Sequence, residues 1–477
     1  MTMRRTGSLL LAAALAASCT ARDFFGYRDD APLHAVGRPD GYPSATFGAR
    51  IAPTFLHAGD QFAEFVAVSG GSSSPTVFYK LSSNGDLVDV DDSWDEYSGG
   101  TESSGSGTAL AGLPTWAERD GGELSLITGC VAIGEDEIDN VHVSCMQGAA
   151  EIDLPGTATD EGDDAGFGRA LAAIRPVNGA SWLLAVASER FAMVFSAASA
   201  SDRSAPMYPA YGGEPDGPIA AIAAGALSDE RFFVAAATGD ADGGVPPRVH
   251  VFLEDAPASP NADEVACVDR AGEEGFGGVM TTGDLDRDGD DELIVSAGAA
   301  EGRVDAVYVY EIDELTADAP TCAGDAPEPA AVAEAGGGPL DVACETGTCL
   351  FGTALAVGDI ATDDEGPELI VGAPGAQVDG FDAAGAVYVF RGAELMADGT
   401  AAVAGRIADS SPEKGQRFGG GLAASPMAGR EELLVGAIGQ GKLFIAFCTG
   451  VGEDIEEGAD VTRNAKGEVV STRCRPR

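Results

Sequence analysis

The chain has 477 residues, of which 77 are Asp or Glu and 28 are Lys or Arg, giving a formal net charge of −49. No stretch gathers basic residues into a phosphate-binding face, so a nucleic-acid partner is excluded by backbone repulsion, whereas divalent cations and basic partners are compatible. The 66 Gly and 25 Pro interrupt the Ala-rich stretches and favour many short strands and turns over long helices.

At the N-terminus, Arg4 and Arg5 precede an apolar run from Ser8 to Ala17. That run has the length of a secretory leader and is too short to cross a membrane as a helix. Leu15-Ala16-Ala17-Ser18-Cys19 then resembles a bacterial lipobox, with Ala16 where Leu is commonest. The resemblance implies a leader over residues 1–18, lipidation of Cys19 and attachment to a membrane through that lipid. Thr20, not Asp, follows the cysteine, which by similarity to enterobacterial sorting implies export to the cell envelope at the outer membrane. Residues 19–43 read as a linker, part of which could complete a sheet. The body runs over 44–450. In the tail, 451–477, Glu468-Val469-Val470-Ser471 is expected to add an outer strand held by Cys474.

The body is repetitive. One unit reads Phe276-Gly277, then an acidic loop, then Glu292-Leu293-Ile294-Val295, then Ala306-Val307-Tyr308-Val309-Tyr310. The next has Phe351-Gly352, Glu368-Leu369-Ile370-Val371-Gly372-Ala373-Pro374 and Ala386-Val387-Tyr388-Val389-Phe390, and a third has Phe418-Gly419, Glu432-Leu433-Leu434-Val435-Gly436-Ala437 and Lys442 to Phe447. Weaker copies begin at 47, 107, 167 and 219, which makes seven units of three or four short strands. One such sheet cannot bury both its faces alone. Radial stacking lets neighbours cover each other and leaves only short edges, so the expected fold is all-β, a seven-bladed β-propeller. An open β-solenoid or a pair of β-sandwiches is the alternative.

Phe-Gly, an acidic loop, Glu-Leu-Ile-Val and Gly-Ala-Pro resemble the FG-GAP repeats of the integrin α-subunit propeller. The likeness spans about 40 to 448 and is weakest in the second and fourth units, which lack Phe-Gly. It implies seven blades, calcium loops between the first two strands of some blades, and a role in adhesion or extracellular recognition.

The loop Asp284-Leu285-Asp286-Arg287-Asp288-Gly289-Asp290-Asp291-Glu292 carries the clearest chemistry. Calcium takes about 6–8 hard oxygens around one point, and carboxylates at alternate positions converge when the chain curls. Side-chain ligation is expected from Asp284, Asp286, Asp288 and Glu292. Asp290 is expected to offer its backbone carbonyl, with its side chain turned away. The start resembles an EF-hand loop, but the twelfth position is Val295, so a β-hairpin loop fits better. The equivalent loop of the next unit keeps Asp359, Asp363 and Glu368 but has Ala361 in place of a ligand, and reads as a weaker site.

No nucleophile elbow or zinc-protease helix occurs. His142 and His250 sit in strand-like runs, and Gly436 to Lys442 mimics a phosphate loop but is followed by Leu443. No enzyme is expected. Apart from Cys19, eight cysteines remain, and the spacings suggest pairs 130–145, 267–322, 344–349 and 448–474. The expected function is a calcium-stabilised, membrane-anchored binding propeller that recognises an extracytoplasmic protein or glycan. The alternatives are a structural subunit of an envelope assembly or, third, a propeller hydrolase or lyase.

Overall fold

Runs of Val, Ile, Leu and Ala in which every residue is apolar suit strands covered on both faces. The computed structural model of the chain is all-β on this basis. It describes residues 33–38, 46–58, 61–70, 76–81, 87–89, 108–119, 123–135, 139–145, 152–155, 166–174, 183–196, 207–211, 214–215, 217–228, 231–239, 247–254, 263–270, 275–297, 306–315, 327–334, 349–360, 366–400, 403–427, 430–446, 460–463 and 469–473.

Among the described residues, seven antiparallel sheets of three or four strands follow one another along the chain, beside two two-stranded ribbons, one of them Ala210–Tyr211 with Glu214–Pro215. The first holds Arg50–Ala58, Gln61–Ser69, Val77–Leu81 and Leu87–Asp89. The second holds Ala109–Arg119, Glu123–Glu135, Asn140–Cys145 and Ile152–Pro155. The third holds Ala170–Ile174, Leu183–Ala187 and Ala192–Ser196, with a single bridge from Ala192 to Met207 at its outer edge. The fourth holds Ile219–Ala226, Phe232–Thr238, Arg248–Glu254 and Asp263–Asp269. The fifth holds Met280–Gly283, Glu292–Ala297, Ala306–Tyr310 and Ala331–Glu334. The sixth holds Ala354–Gly358, Glu368–Ala373, Ala386–Arg391 and Gly405–Ile407. Two short helices, Ile312–Leu315 and Gly392–Asp398, follow the third strands of the fifth and sixth sheets.

The seventh sheet joins the two ends of the chain. Phe418–Met427, Arg430–Ala437 and Lys442–Ala446 are followed across the sheet by Leu33–Gly37. Leu33 pairs with Ala446 and Gly37 with Lys442. Part of the segment expected as a linker is therefore an outer strand. The tail does not take that place: Asp460–Arg463 pairs with Val469–Arg473 in a separate ribbon. The reason is that the hydrogen-bonding edge of Lys442–Ala446 is already filled by the N-terminal strand.

Between each sheet and the next lies one apolar core. Phe167, Leu184 and Phe195 of the third unit pack with Leu113 and Val141 of the second. Leu293 and Val295 face the fourth sheet, while Ile294 between them faces the sixth. The period-2 alternation of a strand thus feeds two cores from one run. After the sixth-to-seventh core, Leu434, Leu443 and Ile445 of the seventh sheet pack with Phe47, Val66 and Tyr79 of the first unit. The first strands touch in the same order, and Phe418–Met427 touches Arg50–Ala58.

The Phe-Gly pairs have one structural role. Phe47, Phe167, Phe276, Phe351 and Phe418 are all buried. Each packs against an aromatic of its own unit's third strand: Tyr79, Phe195, Tyr308, Tyr388 and Phe444 respectively, at centroid distances of 5.2 to 6.2 Å. The glycine that follows has positive φ in all five, for example 90° at Gly168. There a β-carbon would stand 2.6 Å from the Asn140 carbonyl oxygen of the preceding sheet, so only glycine permits the approach.

Candidate functional site

The acidic loop joins the first two strands of the fifth sheet, where Gly283 pairs with Glu292. Arg287 and Gly289 have φ of 66° and 99°, and this curls the loop onto itself. The curl turns its carboxylates toward its own amides. Asp284 Oδ2 accepts from Gly289 N–H at 3.1 Å, Asp286 Oδ1 from Asp288 N–H at 3.1 Å, and Asp288 Oδ1 from Asp290 N–H at 2.8 Å. Glu292 Oε2 accepts from Leu285 N–H at 2.6 Å.

Asp284, Asp286 and Glu292 bring ligand oxygens within 4.8 Å of one another. Asp288, also expected to ligate through its side chain, is exposed and stands outside that group. The Asp290 side chain accepts from Ser228 N–H, on the connection of the fourth sheet. Glu292 is buried, and burial pushes its carboxyl up to about 8; repulsion from Asp286, Asp284 and Asp288 adds to this, while the Leu285 N–H opposes it. The converging donor set is therefore all hard oxygen. Asp284, Asp286 and Glu292 are the residues of this loop whose oxygens stand close enough together to hold a hard cation.

The loop is tied to both neighbouring sheets. Asp291 Oδ2 accepts from Ala226 N–H at 2.7 Å, and Asp291 N–H donates back to the Ala226 carbonyl at 2.9 Å. On the other side Leu285 is fully buried in the core between the fifth and sixth sheets. Its carbonyl oxygen lies 2.5 Å from where a β-carbon of Gly392 would stand. Arg287 Nη2 donates to Asp359 Oδ2 at 3.2 Å. Sequence reasoning missed Asp291 and Arg287 because both partners are non-local; the only local signal was an acidic residue beyond the alternating set.

The sixth-sheet loop repeats the frame. Glu368 is buried, and its Oε2 accepts from Ile360 N–H at 2.9 Å, as Glu292 does from Leu285. Ile360 is buried in the sixth-to-seventh core, as Leu285 is one interface earlier. Asp363 lies outside the described residues, as does Cys19.

A second group, His250, Glu264 and Cys267, also falls within 4.8 Å. His250 is fully buried in its strand, with Nδ1 3.1 Å from Glu264 Oε1. Cys267 is disulfide-bonded, so its sulfur is no thiolate ligand, and the group reads as a structural pair beside a disulfide. His142 is likewise buried in a strand. Cys130 and Cys349 are disulfide-bonded too, and Cys130 stands opposite Cys145 in register. Cys322, Cys344, Cys448 and Cys474 lie outside the described residues. The segment Gly436 to Lys442 runs from the end of the strand Arg430–Ala437 through a tight turn into the strand Lys442–Ala446, so a strand and not a helix follows the turn.

No protein-family model and no curated protein matches the chain. Among solved structures, it matches the crystal structure of a protein of unknown function from Dyadobacter fermentans DSM 18053, at 12% identity and a TM-score of 0.37, over 87% of this chain and 98% of that one.

Proposed function

We propose that the chain is a seven-bladed β-propeller of FG-GAP-like repeats that serves as a calcium-stabilised, lipid-anchored binding module outside the cytoplasm, recognising a protein or a glycan. One observation carries this reading: the apolar interfaces pass from each sheet to the next and return from the seventh sheet to the first. A stack that returns to its start, with each sheet covered on both faces, is what radial arrangement requires. Neither an open solenoid nor two sandwiches needs the last sheet to cover the first.

The acidic loop supports the calcium part. It bonds to the fourth sheet through Asp290 and Asp291 and packs on the sixth through Leu285. A cation held by Asp284, Asp286 and Glu292 would cancel the repulsion at this junction and stiffen three sheets together. A rigid frame of this kind leaves recognition to the connections between strands, where binding residues concentrate on other scaffolds. The lipobox-like Cys19 supplies the anchor.

The test is affinity capture from the native envelope, in calcium and in chelator, with Asp284→Ala/Asp286→Ala as a third arm. A protein or glycan retained in calcium and lost in the other two arms supports the reading. A stable membrane complex that survives chelator would assign a structural subunit instead, and no retained partner in any arm would overturn the binding role.

A further inference from the structure

Among the described residues two large apolar side chains stand exposed, Tyr208 and Phe381. The Tyr208 ring packs against Phe191 at 5.8 Å. Phe381, 44% exposed, sits on a connection unlike its counterparts. Pro374 to Gly385 joins the second and third strands of the sixth sheet with twelve residues, where the seventh sheet uses four, Ile438 to Gly441. Its tip is a two-residue hairpin: Phe381 N–H donates to the Val378 carbonyl at 2.9 Å, and Val378 N–H to the Phe381 carbonyl at 3.3 Å. Asp379 and Gly380 at its centre have φ of 50° and 85°, the sign that a type I′ turn requires at both positions. The facing segment holds the hairpin from one side, as the N–H groups of Gly415, Arg417 and Phe418 donate to the carbonyls of Asp382, Ala383 and Ala384. The core between the fifth and sixth sheets takes Ala376, Val378 and Ala384 from this connection, while Asp379 to Asp382 form an unbroken exposed run. The shape of the hairpin is thus set by its buried side and its backbone bonds.

We propose that Phe381 is the docking point for a basic, arginine-bearing segment of a protein partner, with a guanidinium on the ring and the carboxylates of Asp379 and Asp382 around it. The charge of the connection selects this class. Pro374 to Gly385 carries two aspartates and no Lys or Arg, and the facing segment 409–417 adds two acidic and two basic residues, so the aspartates are not cancelled. Lys414 Nζ stands 3.4 Å from Asp382 Oδ2, but both side chains are mostly exposed, and exposed pairs hold weakly. Gln377 Nε2 donates to Asp382 Oδ1 at 2.8 Å and fixes that carboxylate. A guanidinium is drawn to the face of an aromatic ring and to carboxylates at once, and it is more weakly hydrated than an ammonium. The net charge of −49 steers a basic partner in and repels a second copy of this chain. A hairpin already ordered loses little freedom on binding. The proposal rests on the reading of the chain as a binding module and names the chemistry of what it binds.

The experiment is a fluorescence-anisotropy titration of a labelled peptide of alternating arginine and glycine with the purified full chain, at about 150 mM salt so that long-range attraction is screened. Wild type, Phe381→Ser, Phe381→Trp and Asp379→Asn are compared, with circular dichroism to confirm folding. Phe381→Ser leaves the charge of the chain unchanged, so general attraction to an acidic protein is the same in both. The expected result is about fivefold weaker binding in Phe381→Ser, the size of a cation–π contact at an exposed site. Phe381→Trp should bind at least as well as the wild type, and Asp379→Asn should bind more weakly. Equal affinity of Phe381→Ser and wild type overturns the proposal. So does retention on immobilised polysaccharide that needs Phe381 while the peptide does not, which assigns a sugar instead. Capture from the native envelope, run with wild type and Phe381→Ser side by side, separates this proposal from the broader one. A partner retained equally by both keeps the binding module and refutes this site. A wild type that retains nothing, with peptide binding still dependent on Phe381, refutes the binding module and keeps the site.

Discussion

A β-carbon on Gly436, in the seventh sheet, would stand 2.1 Å from the carbonyl oxygen of Gly48, which opens the first. The same contact recurs between Gly372 and Gly419 at 2.1 Å and between Gly134 and Gly168 at 1.9 Å. Glycine at the end of one sheet's second strand is thus matched to the Phe-Gly glycine of the next unit. The two halves of the motif are complementary across an interface, not within one sheet.

Gly436→Ala should therefore drive backbone apart at the junction of the first and seventh sheets. Overpacking of this kind costs about 1–3 kcal/mol. Gly380→Ala is the comparison, because its β-carbon meets nothing within 4 Å and only its left-handed φ of 85° is penalised. Differential scanning fluorimetry should show the larger drop for Gly436→Ala. Equal drops would mean that the close approach is not maintained in solution.

Deleting residues 33–37 should expose the edge of Lys442–Ala446. An uncovered edge strand is a template for pairing between molecules. A lower thermal midpoint and self-association on size-exclusion chromatography are expected. A monomer of unchanged midpoint would show that the N-terminal strand does not cover this edge.

Calcium should raise the thermal midpoint of the purified chain, and Asp284→Ala/Asp286→Ala should abolish the rise. An ion at about 100 times its Kd stabilises the state that binds it by about 2.7 kcal/mol. Glu292→Gln should weaken the response. No rise in the wild type would remove calcium as the stabilising ion.

In chelator, pH should act through Glu292, whose carboxyl is raised from 4.5 to about 8 by burial and then by its acidic neighbours. A raised acid binds its proton more tightly in the folded state than in the unfolded one. Its contribution is therefore fully present below pH 4.5 and is lost as pH rises toward about 8. Urea midpoints across that window should fall less steeply in Glu292→Gln than in the wild type. Parallel slopes would assign the pH dependence to other groups.

Cys19→Ser should release the protein from membranes into the soluble fraction. Retention of this variant would mean that something other than acylation holds it there.

Much of the fold was legible because its signals are local. Leu293-Ile294-Val295 and Leu369-Ile370-Val371 are unbroken apolar runs, and both became second strands with every residue buried. The Phe-Gly pairs marked the starts of five units correctly, since a buried aromatic and a left-handed glycine are needed at that turn. The outer strand of the seventh sheet was not legible. Leu33–Gly37 and Val469–Arg473 are equally short, and nothing within either says which edge it will meet.

The acidic loop, read from alternating aspartates and Gly289, shows the same division. Local spacing determined by itself that carboxylates would gather at a tight turn between two strands, because a hairpin connection confines its own side chains. Three of the four expected side chains do converge, Asp284, Asp286 and Glu292. Tertiary structure alone decided that Asp290 and Asp291 would serve the fourth sheet and that Arg287 would reach Asp359 of the sixth. Those partners are supplied by other sheets, and which residues stand across an interface depends on how whole sheets pack, a relation that no local stretch of sequence contains.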